Sequence, residues 1–313
     1  MSSNLRVITY NCQSFNSKKV ILDSLLNSCD LLCLQETFIN DENSLNLDTL
    51  DESFISSYVP AWRNSEFSRG RCCGGLAIFW RKSYNVNIFP IQFSNRIMGV
   101  KLIINNVTYI VLNVYFCCDY GNSDSLIEFQ SILADLSDTI CSEVYDDIII
   151  VGDFNADPLK GRFYPRLKSI LDDLNLQTND VISLPAASYT YISPNSVSGT
   201  SWLDHVVVSR GDLTVNHKIL YGMVFYDHLP MYFEMNLPIP VCFAEGLNFS
   251  RSPQLNISWD KVSESMKKDY CLSLDKLSLA IWDEVLICNK SLCKNNGHKK
   301  SLDFLFETIL EII

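Results

Sequence analysis

The sequence predicts a layered α/β fold, and two observations lead to this prediction. Short apolar strands alternate with amphipathic helices along residues 1–240, beginning with a strand, a helix and a strand. Polar residues also follow the ends of these strands repeatedly, where α/β proteins place their functional sites. With 47% apolar and 12% aromatic residues, the chain of 313 residues has ample material for a core.

The predicted elements of the first half follow one another closely. LRVITYN has the branched and aromatic residues of a strand, KKVILDSLLNS has apolar positions at helical spacing, and DLLCLQE is a short buried strand. The next predicted strands are GGLAIFWRK, NVNIFPIQF, IMGVKLIIN and VTYIVLNVYF. The last two are expected to be joined by a hairpin at residues 105–107.

The second half continues this alternation up to a boundary. LIEFQSILADLSDTI is predicted as a helix, DDIIIVGDFN as the most strongly apolar buried strand, FYPRLKSILDDLNL as a helix, and WLDHVVVS and LTVNHKIL as late strands. Pro238 and Pro240 then mark a change of pattern. We therefore predict a domain over 1–240 and a helical extension over 241–313, interpreted as the truncated linker of a longer chain.

Composition restricts the class of protein and its compartment. No run approaches the ~20 apolar residues that span a bilayer, and the N-terminus lacks a secretory signal, so no membrane partner is expected and we expect a nuclear or cytoplasmic protein. The 12 cysteines are interpreted as reduced core thiols. The net charge of −11 leaves a nucleic-acid partner undecided, because a site that binds divalent cations must itself be acidic.

Most candidate functional residues lie where predicted strands end, while Asp204 lies within the SWLDHVVVS strand and Asp227 and His228 precede LPMYFEM. The set comprises Asn11, Glu36, Asn113, Tyr115, Asp153, Asn155, Asp204, Asp227 and His228. Each has an ordinary structural explanation when taken alone: GDFN can be a turn with an Asx bond, and Glu36 can cap the next segment. The functional interpretation comes from the set, because chance rarely orders all these residues at strand ends. By contrast, His205 and His217 alternate with apolar strand residues and are predicted to be structural.

These residue types suit phosphodiester hydrolysis, which needs an activated water and neutralised phosphoryl oxygens. Glu36 is the first candidate ligand for Mg²⁺, with Mn²⁺ as an alternative, and Asp227 can assist. Asp153 can orient or deprotonate the water, with Asn155 beside it. His228, oriented by Asp204, can stabilise phosphoryl charge or act as acid or base.

Two further groups complete the predicted site. Tyr115 and Asn11 are predicted to donate hydrogen bonds to phosphate oxygens, and Asn113 and Arg71 to bind substrate. Cys288, Cys293 and His298 suggest a zinc site, but a fourth ligand is not evident in the sequence, so packing between helices is the preferred interpretation.

The series YNCQSF, LQET, NVYF, GDFNAD, SWLDHVVVS and DHLP resembles the endonuclease/exonuclease/phosphatase superfamily, in family order, over roughly residues 5–237. This resemblance implies a four-layer α/β sandwich, with two mixed β-sheets flanked by helices, and magnesium-dependent cleavage of phosphate esters. It also implies the family's roles for the matching residues. These are the first-strand asparagine (Asn11), the metal-binding glutamate (Glu36), the phosphate-contacting tyrosine (Tyr115), the water-activating pair (Asp153 and Asn155), the aspartate that orients the histidine (Asp204) and the terminal Asp-His (Asp227 and His228).

Within the superfamily, RGRCCGGLAIFWRK and GDFNADPLKGRF resemble the endonuclease domains of LINE-type, non-LTR retrotransposons. That likeness implies nicking of one strand of double-stranded DNA to leave a 3′-hydroxyl, and a reverse transcriptase on the full-length polyprotein as partner. Two departures stand out: Tyr226 occupies the position of a usual serine before Asp-His, and no catalytic Tyr-x-Asp-Asp motif occurs.

Several alternatives remain open at this stage. Inositol phosphatases of the superfamily carry a tryptophan before Gly-Asp, where this chain has IIIVGDFN. A secreted sphingomyelinase would need a signal peptide. An abasic-site endonuclease, a deadenylase and a catalytically silent transposon remnant are the closer alternatives.

Overall fold

Two six-stranded β-sheets lie face to face in the computed structural model, which describes residues 3–40, 47, 50–62, 72–193, 199–223 and 227–239. In chain order the strands are β1 (Ser3–Asn11), β2 (Leu31–Gln35), β3 (Phe54–Val59), β4 (Leu76–Arg81), β5 (Ile88–Gln92), β6 (Ile97–Ile104), β7 (Val107–Tyr115), β8 (Asp147–Asp153), β9 (Gln177–Thr178), β10 (Tyr191–Ile192), β11 (Thr200–Ser201), β12 (Asp204–Val208), β13 (Thr214–Ile219) and β14 (Met231–Ile239).

The strand order explains why the carboxyl ends of several strands meet. The first sheet has the order β13-β14-β1-β2-β4-β3 and the second β5-β6-β7-β8-β12-β9, while β10 pairs with β11. Both sheets are mixed, because β1–β2 and β7–β8 are parallel and their other pairs are antiparallel. Parallel neighbours require a crossover, which a helix supplies in both cases.

The helices form the outer layers of the molecule. They are α1 (Lys19–Ser28), α2 (Ser123–Ser142), α3 (Tyr164–Asp173) and the short α4 (Asn179–Ser183), with 3-10 turns at Phe15–Lys18, Lys82–Asn87, Gly211–Leu213 and Tyr221–Met223. Helix α1 covers the first sheet through Leu22 and Leu25. Helices α2 and α3 cover the second sheet through Phe129 and Leu167.

A third apolar cluster fills the space between the sheets, with Val7 and Cys33 from the first sheet and Val111 and Val151 from the second. Helix, sheet, sheet and helix are therefore stacked as four layers, and the predicted sandwich is confirmed. The expected extension over 241–313, with Cys288, Cys293 and His298, lies outside the described residues. No helix within the described ranges combines the length and apolar character needed to cross a bilayer.

Local sequence explains where several elements turn and begin. Asn105 and Asn106 both have positive φ, 53° and 64°, as the tight turn of a two-residue hairpin requires, which confirms the predicted link between β6 and β7. Helix α2 begins after Asn122, whose side chain accepts a hydrogen bond from Ser125 N at 2.9 Å.

Five strands were not predicted: the two-residue strands β9, β10 and β11, and the longer β3 and β14. Strand β3 carries Ser56 and Ser57 at its centre and forms the edge of the first sheet, so its apolar pattern is weak. Strand β14 lies between β13 and β1 and contributes Met231 and Phe233 to the core between the sheets.

Candidate active site

The ends of five strands bring the predicted site residues to one rim of the two sheets. Asn11 is the last residue of β1 and Glu36 directly follows β2. In the second sheet Asp153 is the register partner of both Tyr115 and Asp204. Neighbouring strands lie about 5 Å apart, so three predicted residues form one row across the end of this sheet.

The side chain of Asn11 joins the two sheets. Its Nδ2 donates to Glu36 Oε1 at 2.7 Å and to Asp153 Oδ2 at 2.9 Å. Its Oδ1 accepts from Gln13 N at 3.3 Å, which fixes the orientation of the amide. Because both amide hydrogens are engaged, the predicted donation from Asn11 to a phosphate oxygen is not supported. Asn11 instead holds Glu36 and Asp153 close together.

Glu36 and Asn155 share an unusual backbone conformation directly after their strands. Their φ angles are 50° and 49°, in the left-handed region that non-glycine residues adopt only at a cost. For Asn155 this conformation aims two donors at Asp153: the backbone N reaches Oδ1 at 2.9 Å and Nδ2 reaches Oδ2 at 3.2 Å. Asn155 Nδ2 also donates to Phe116 O at 3.0 Å.

The residue before Asp153 must be glycine. Gly152 has a φ of 140°, and a Cβ added there would lie 2.0 Å from the backbone oxygen of Val114 on the neighbouring strand. This close approach of β8 to β7 fixes the level at which Asp153 leaves the sheet. A side chain at position 152 would push the strands apart and displace the carboxylate.

His228 lies between two carboxylates. Its Nδ1 is 3.0 Å from Asp204 Oδ2, and its Nε2 is 3.8 Å from Asp153 Oδ2. Burial alone would lower the pKa of His228, but the charges of Asp204 and Asp153 raise it to about 10. The imidazole is therefore held as a cation at neutral pH, with Nδ1–H donated to Asp204.

Burial acts on the pKa of Asp153 in the direction opposite to its effect on His228. Burial raises the pKa of this carboxyl to about 7, while the positive charge of His228 opposes the rise and the Asp204 carboxylate adds to it. A carboxylate whose pKa lies near neutrality is a stronger base than an ordinary aspartate, and about half of it is in the basic, ionised form at pH 7.

The ring of Tyr115 is supported from one side by a cation. The guanidinium of Arg96 lies 4.9 Å from the centroid of Trp62 and 5.4 Å from that of Tyr115, and the two rings are 6.4 Å apart. Arg96 Nη1 also donates to Tyr115 O at 3.2 Å. Burial raises the pKa of the Tyr115 hydroxyl, so it stays a neutral hydrogen-bond donor.

Gln13 belongs to the site and was missed by the sequence reasoning. Its Nε2 donates to Asp227 Oδ2 at 2.9 Å, which links the turn after β1 to the loop before β14. Gln13 lies two residues after Asn11 in the motif YNCQSF, and this spacing was the available signal.

Two predicted substrate-binding residues do not contribute to the described site. Asn113 is fully buried: its Nδ2 donates to Leu34 O at 2.9 Å and Ala77 O at 3.1 Å, and its Oδ1 accepts from Gln35 at 2.6 Å. It ties the sheets together below the rim, so its predicted role is corrected to a structural one. Arg71 lies outside the described residues, as does Tyr226.

The oxygen donors at the rim fit a divalent cation. Glu36 and Asp227 are only partly buried, and carboxylates are the ligands that Mg²⁺ and Mn²⁺ prefer. A tighter group consists of Asp153, Asp204 and His228, whose donor atoms lie within 4.8 Å of one another. We do not assign a metal to that group, because Asp204 Oδ2 and His228 Nδ1 are already bonded to each other at 3.0 Å. The ligand roles of Glu36 and Asp227 stay predictions.

The other two described histidines make contacts away from this group. His205 Nδ1 lies 2.9 Å from Asp180 Oδ2 and its Nε2 lies 2.7 Å from Ala156 O. Since both acceptors require a donor, the ring carries a proton on each nitrogen. His217 contacts Ser183 at 2.5 Å and Thr214 at 3.0 Å.

Comparison with known proteins gives the classification. The model of the Endonuclease/Exonuclease/phosphatase family matches residues 8–221. The chain belongs to this family. The predicted membership is therefore confirmed. No curated protein is significantly similar to the chain in sequence.

Solved structures share the fold of this family member. The AP endonuclease LMAP from Leishmania major superposes with a TM-score of 0.61 at 16% identity, over 75% of this chain and 88% of that one. NExo from Neisseria, a 3′ phosphatase bound to product DNA hairpin, gives 0.58 at 16% identity, over 74% and 100%. The endonuclease domain of TRAS1, a telomere-specific non-LTR retrotransposon, gives 0.55 at 15% identity, over 75% and 100%.

Proposed function

We propose that this member of the endonuclease/exonuclease/phosphatase family is a metal-dependent phosphodiesterase that nicks one strand of double-stranded DNA and leaves a 3′-hydroxyl. The observation that carries the proposal is the amide of Asn11, which holds Glu36 and Asp153 at 2.7 and 2.9 Å beside the cationic His228. A bound Mg²⁺ or Mn²⁺ would be held by Glu36 with Asp227, and would neutralise charge on the phosphoryl and leaving oxygens.

Asp153 serves as the base in this proposal. Its Oδ2 accepts hydrogen bonds from the side-chain amides of Asn11 and Asn155, and these two donors orient the carboxylate toward the rim. The raised pKa of Asp153 allows the carboxylate to accept a proton from a water that attacks the phosphorus. Both amide hydrogens of Asn155 are engaged, with Asp153 Oδ2 and Phe116 O, so its part is to orient the base, and its Oδ1 can accept a hydrogen bond from the attacking water.

His228 and Tyr115 stabilise the charge that develops on the phosphoryl group. Asp204 holds the ring through Nδ1 at 3.0 Å, which leaves Nε2–H to face the phosphate. The neutral hydroxyl of Tyr115 supplies a second donor. Neither group needs to change its protonation state before the attack, so both donors are preorganised.

DNA is proposed as the substrate from two lines of support. The AP endonuclease of Leishmania major and the TRAS1 endonuclease domain share the fold, and NExo was solved with a DNA product. The sequence motifs resemble the endonuclease domains of non-LTR retrotransposons, which nick a target strand to prime reverse transcription. A reverse transcriptase on the full-length polyprotein stays a prediction.

The test is a supercoiled-plasmid nicking assay with Mg²⁺, run with the full chain and with Asp153→Asn and His228→Gln. We expect open circles from the wild type, loss of nicking with EDTA, and losses of about 10³-fold or more in both variants. His217→Gln is the matched control and should nick as the wild type does. Extension of the nicked strand by a DNA polymerase without prior phosphatase treatment tests for the 3′-hydroxyl.

An abasic-site endonuclease is the second candidate, favoured by the fold shared with the AP endonuclease LMAP. Duplexes with a single abasic site and duplexes with a 3′-phosphate distinguish it from the first candidate. If only the abasic duplex is cleaved, the abasic-site activity is the correct assignment and the first proposal is wrong. A folded wild type that is inert on plasmid DNA would overturn the proposal of DNA nicking.

A further inference from the structure

The short strand β10 lies outside the two main sheets and is paired along both of its edges. One edge pairs with β11, through Tyr191 with Ser201 and Ile192 with Thr200. Strand β11 is followed within three residues by Asp204, the carboxylate that holds His228. This edge therefore connects β10 to one member of the Asp204–His228 pair.

The other edge of β10 pairs with the loop that carries the second member. Ile192 N donates to Asp227 O at 2.6 Å, and Leu229 N donates to Thr190 O at 2.7 Å. Tyr191 and His228 are the antiparallel bridge partners between these two bonds. The residues on both sides of His228 are thus hydrogen bonded to one segment, which consists of Thr190 and the strand β10 that follows it.

The hydroxyl of Thr190 extends the connection to Asp204 itself. Thr190 is fully buried, and its Oγ1 accepts from Leu203 N and Asp204 N, both at 3.0 Å. These bonds use both acceptor positions of the hydroxyl. Thr190 therefore fixes the backbone from which the Asp204 carboxylate projects, while its carbonyl oxygen fixes the residue after His228.

The ring of Tyr191 contacts the imidazole directly. The two ring centroids are 5.0 Å apart at an interplanar angle of 60°, a geometry typical of attractive aromatic pairs. The ring limits rotation of His228 on one side, while the bond to Asp204 limits it on the other. Tyr191 thus restrains the imidazole of His228, and Thr190 restrains the backbone of Asp204.

We propose that Thr190 and Tyr191 are positioning residues that set the geometry between Asp204 and His228, and through it the activity of the site. The inference rests on the proposed function for its kinetic consequence, but the geometry can be tested without DNA. Asp204 and His228 are 24 residues apart in sequence, and the segment of Thr190 and β10 is hydrogen bonded to the backbone of Asp204 and to that of both neighbours of His228.

A loss of the Thr190 hydroxyl acts on the site through the backbone. In Thr190→Val two buried N–H groups lose their acceptor, and a buried donor without an acceptor is strongly unfavourable. The backbone at Leu203 and Asp204 is expected to shift toward another acceptor, which moves the carboxylate away from His228 Nδ1. A misplacement of this kind by about 1 Å can cost roughly 10²-fold in rate.

Imidazole proton NMR of the full chain measures this geometry. A histidine Nδ1–H held by a carboxylate gives a resonance far downfield, and two are expected, from His228 with Asp204 and from His205 with Asp180. His228→Gln assigns the first signal by its absence. The His205 signal reports on an intact fold, because the hydrogen bonds of that pair are made with Ala156 O and Val206 N.

The variants are Thr190→Val, Thr190→Ser and the matched control Thr139→Val, whose lost hydroxyl donates to Asp135 O in α2. We expect Thr190→Val to shift or abolish the His228 signal, to leave the His205 signal, and to lower kcat for nicking by 10-fold to 10²-fold with KM within twofold. Thr190→Ser and Thr139→Val should keep both signals and the wild-type kcat. An unchanged His228 signal and kcat in Thr190→Val would overturn the role of Thr190.

If Thr190→Val unfolds and loses both signals, substitutions of Tyr191 provide the test instead. Tyr191 is only partly buried, so Tyr191→Ala should fold, while Tyr191→Phe retains the ring. Faster solvent exchange of the His228 proton in Tyr191→Ala, but not in Tyr191→Phe, supports the proposal, and an unchanged exchange rate refutes it. If the wild type does not nick DNA, the function fails while these NMR results still decide the positioning role.

Discussion

Asn11 Nδ2 at the end of the first sheet donates to Asp153 Oδ2 at the end of the second, across 2.9 Å. The two residues are 142 positions apart in sequence and belong to different sheets. Their distance depends on how the apolar faces of the sheets pack, because the strands that carry them share no hydrogen-bonded ladder. The geometry of the candidate site therefore depends directly on how the two sheets pack.

Removal of this amide should impair activity more than stability. In Asn11→Ala, Glu36 and Asp153 lose their shared donor and repel each other, so we expect nicking to fall by roughly 10²-fold. Asn236→Ala, which removes an exposed amide that donates to Asp212 O, is the matched control. Plasmid nicking and urea denaturation of both variants check the prediction. Equal activity of Asn11→Ala and the control would contradict it.

The bond from Gln13 to Asp227 should matter for metal binding. Groups that orient metal ligands typically change affinity by about 10–100-fold when they are removed. We expect Gln13→Leu to raise the Mg²⁺ concentration needed for half-maximal nicking, with little change in rate at saturating Mg²⁺. Gln92→Leu, on the exposed edge strand β5, serves as control. A Mg²⁺ dependence identical to that of the wild type would argue against Asp227 as a ligand.

Arg96 should act on catalysis through the ring of Tyr115. Arg96→Lys loses the planar group that lies over Trp62 and Tyr115, and we expect a fall in nicking of about tenfold. In a Tyr115→Phe background the same substitution should have little further effect, because the hydroxyl that it positions is already absent. Glu128→Gln removes the ion pair of Arg96 but keeps the rings, and should be nearly neutral. Additive effects of Arg96→Lys and Tyr115→Phe would exclude this route.

His205 predicts a pH-dependent contribution to stability. Burial lowers its pKa, but the Asp180 carboxylate outweighs burial and raises the pKa above the usual value near 6.5. A histidine whose folded pKa is raised stabilises the fold fully below its unfolded pKa, and this contribution is lost as the pH rises through the folded pKa.

We therefore expect His205→Gln to lower the free energy of unfolding by about 3 kcal/mol at pH 6, because Asp180 is left buried without its cation. The difference from the wild type should shrink as the pH rises above 6.5. His228 is present in both proteins, so its titration cancels in the difference. Urea denaturation between pH 6 and 9 measures the effect. A constant difference over this range would show that folding does not raise the pKa of His205.

Much of the fold was predictable because its signals are local. The alternation of apolar runs identified β1, α1, β2, β4 to β8, α2, α3, β12 and β13, and the asparagine pair identified the turn between β6 and β7. Strand β3 escaped because an edge strand buries little of its surface. Gln13, Thr190 and Tyr191 escaped because nothing in their local pattern distinguishes them from ordinary turn and strand residues.

By itself, the sequence determined which segments form strands and helices, which strand ends carry carboxylate, amide and imidazole groups, and hence the class of chemistry. Periodicity and residue type are properties of short segments, and no tertiary contact is needed to recognise them. The tertiary structure alone decided the hydrogen-bond partners. The side chain of Asn113 points inward and donates to Leu34 O of the other sheet, and both amide hydrogens of Asn11 are donated to Glu36 and Asp153. Contacts between residues distant in sequence depend on register and sheet packing, which the whole core sets together.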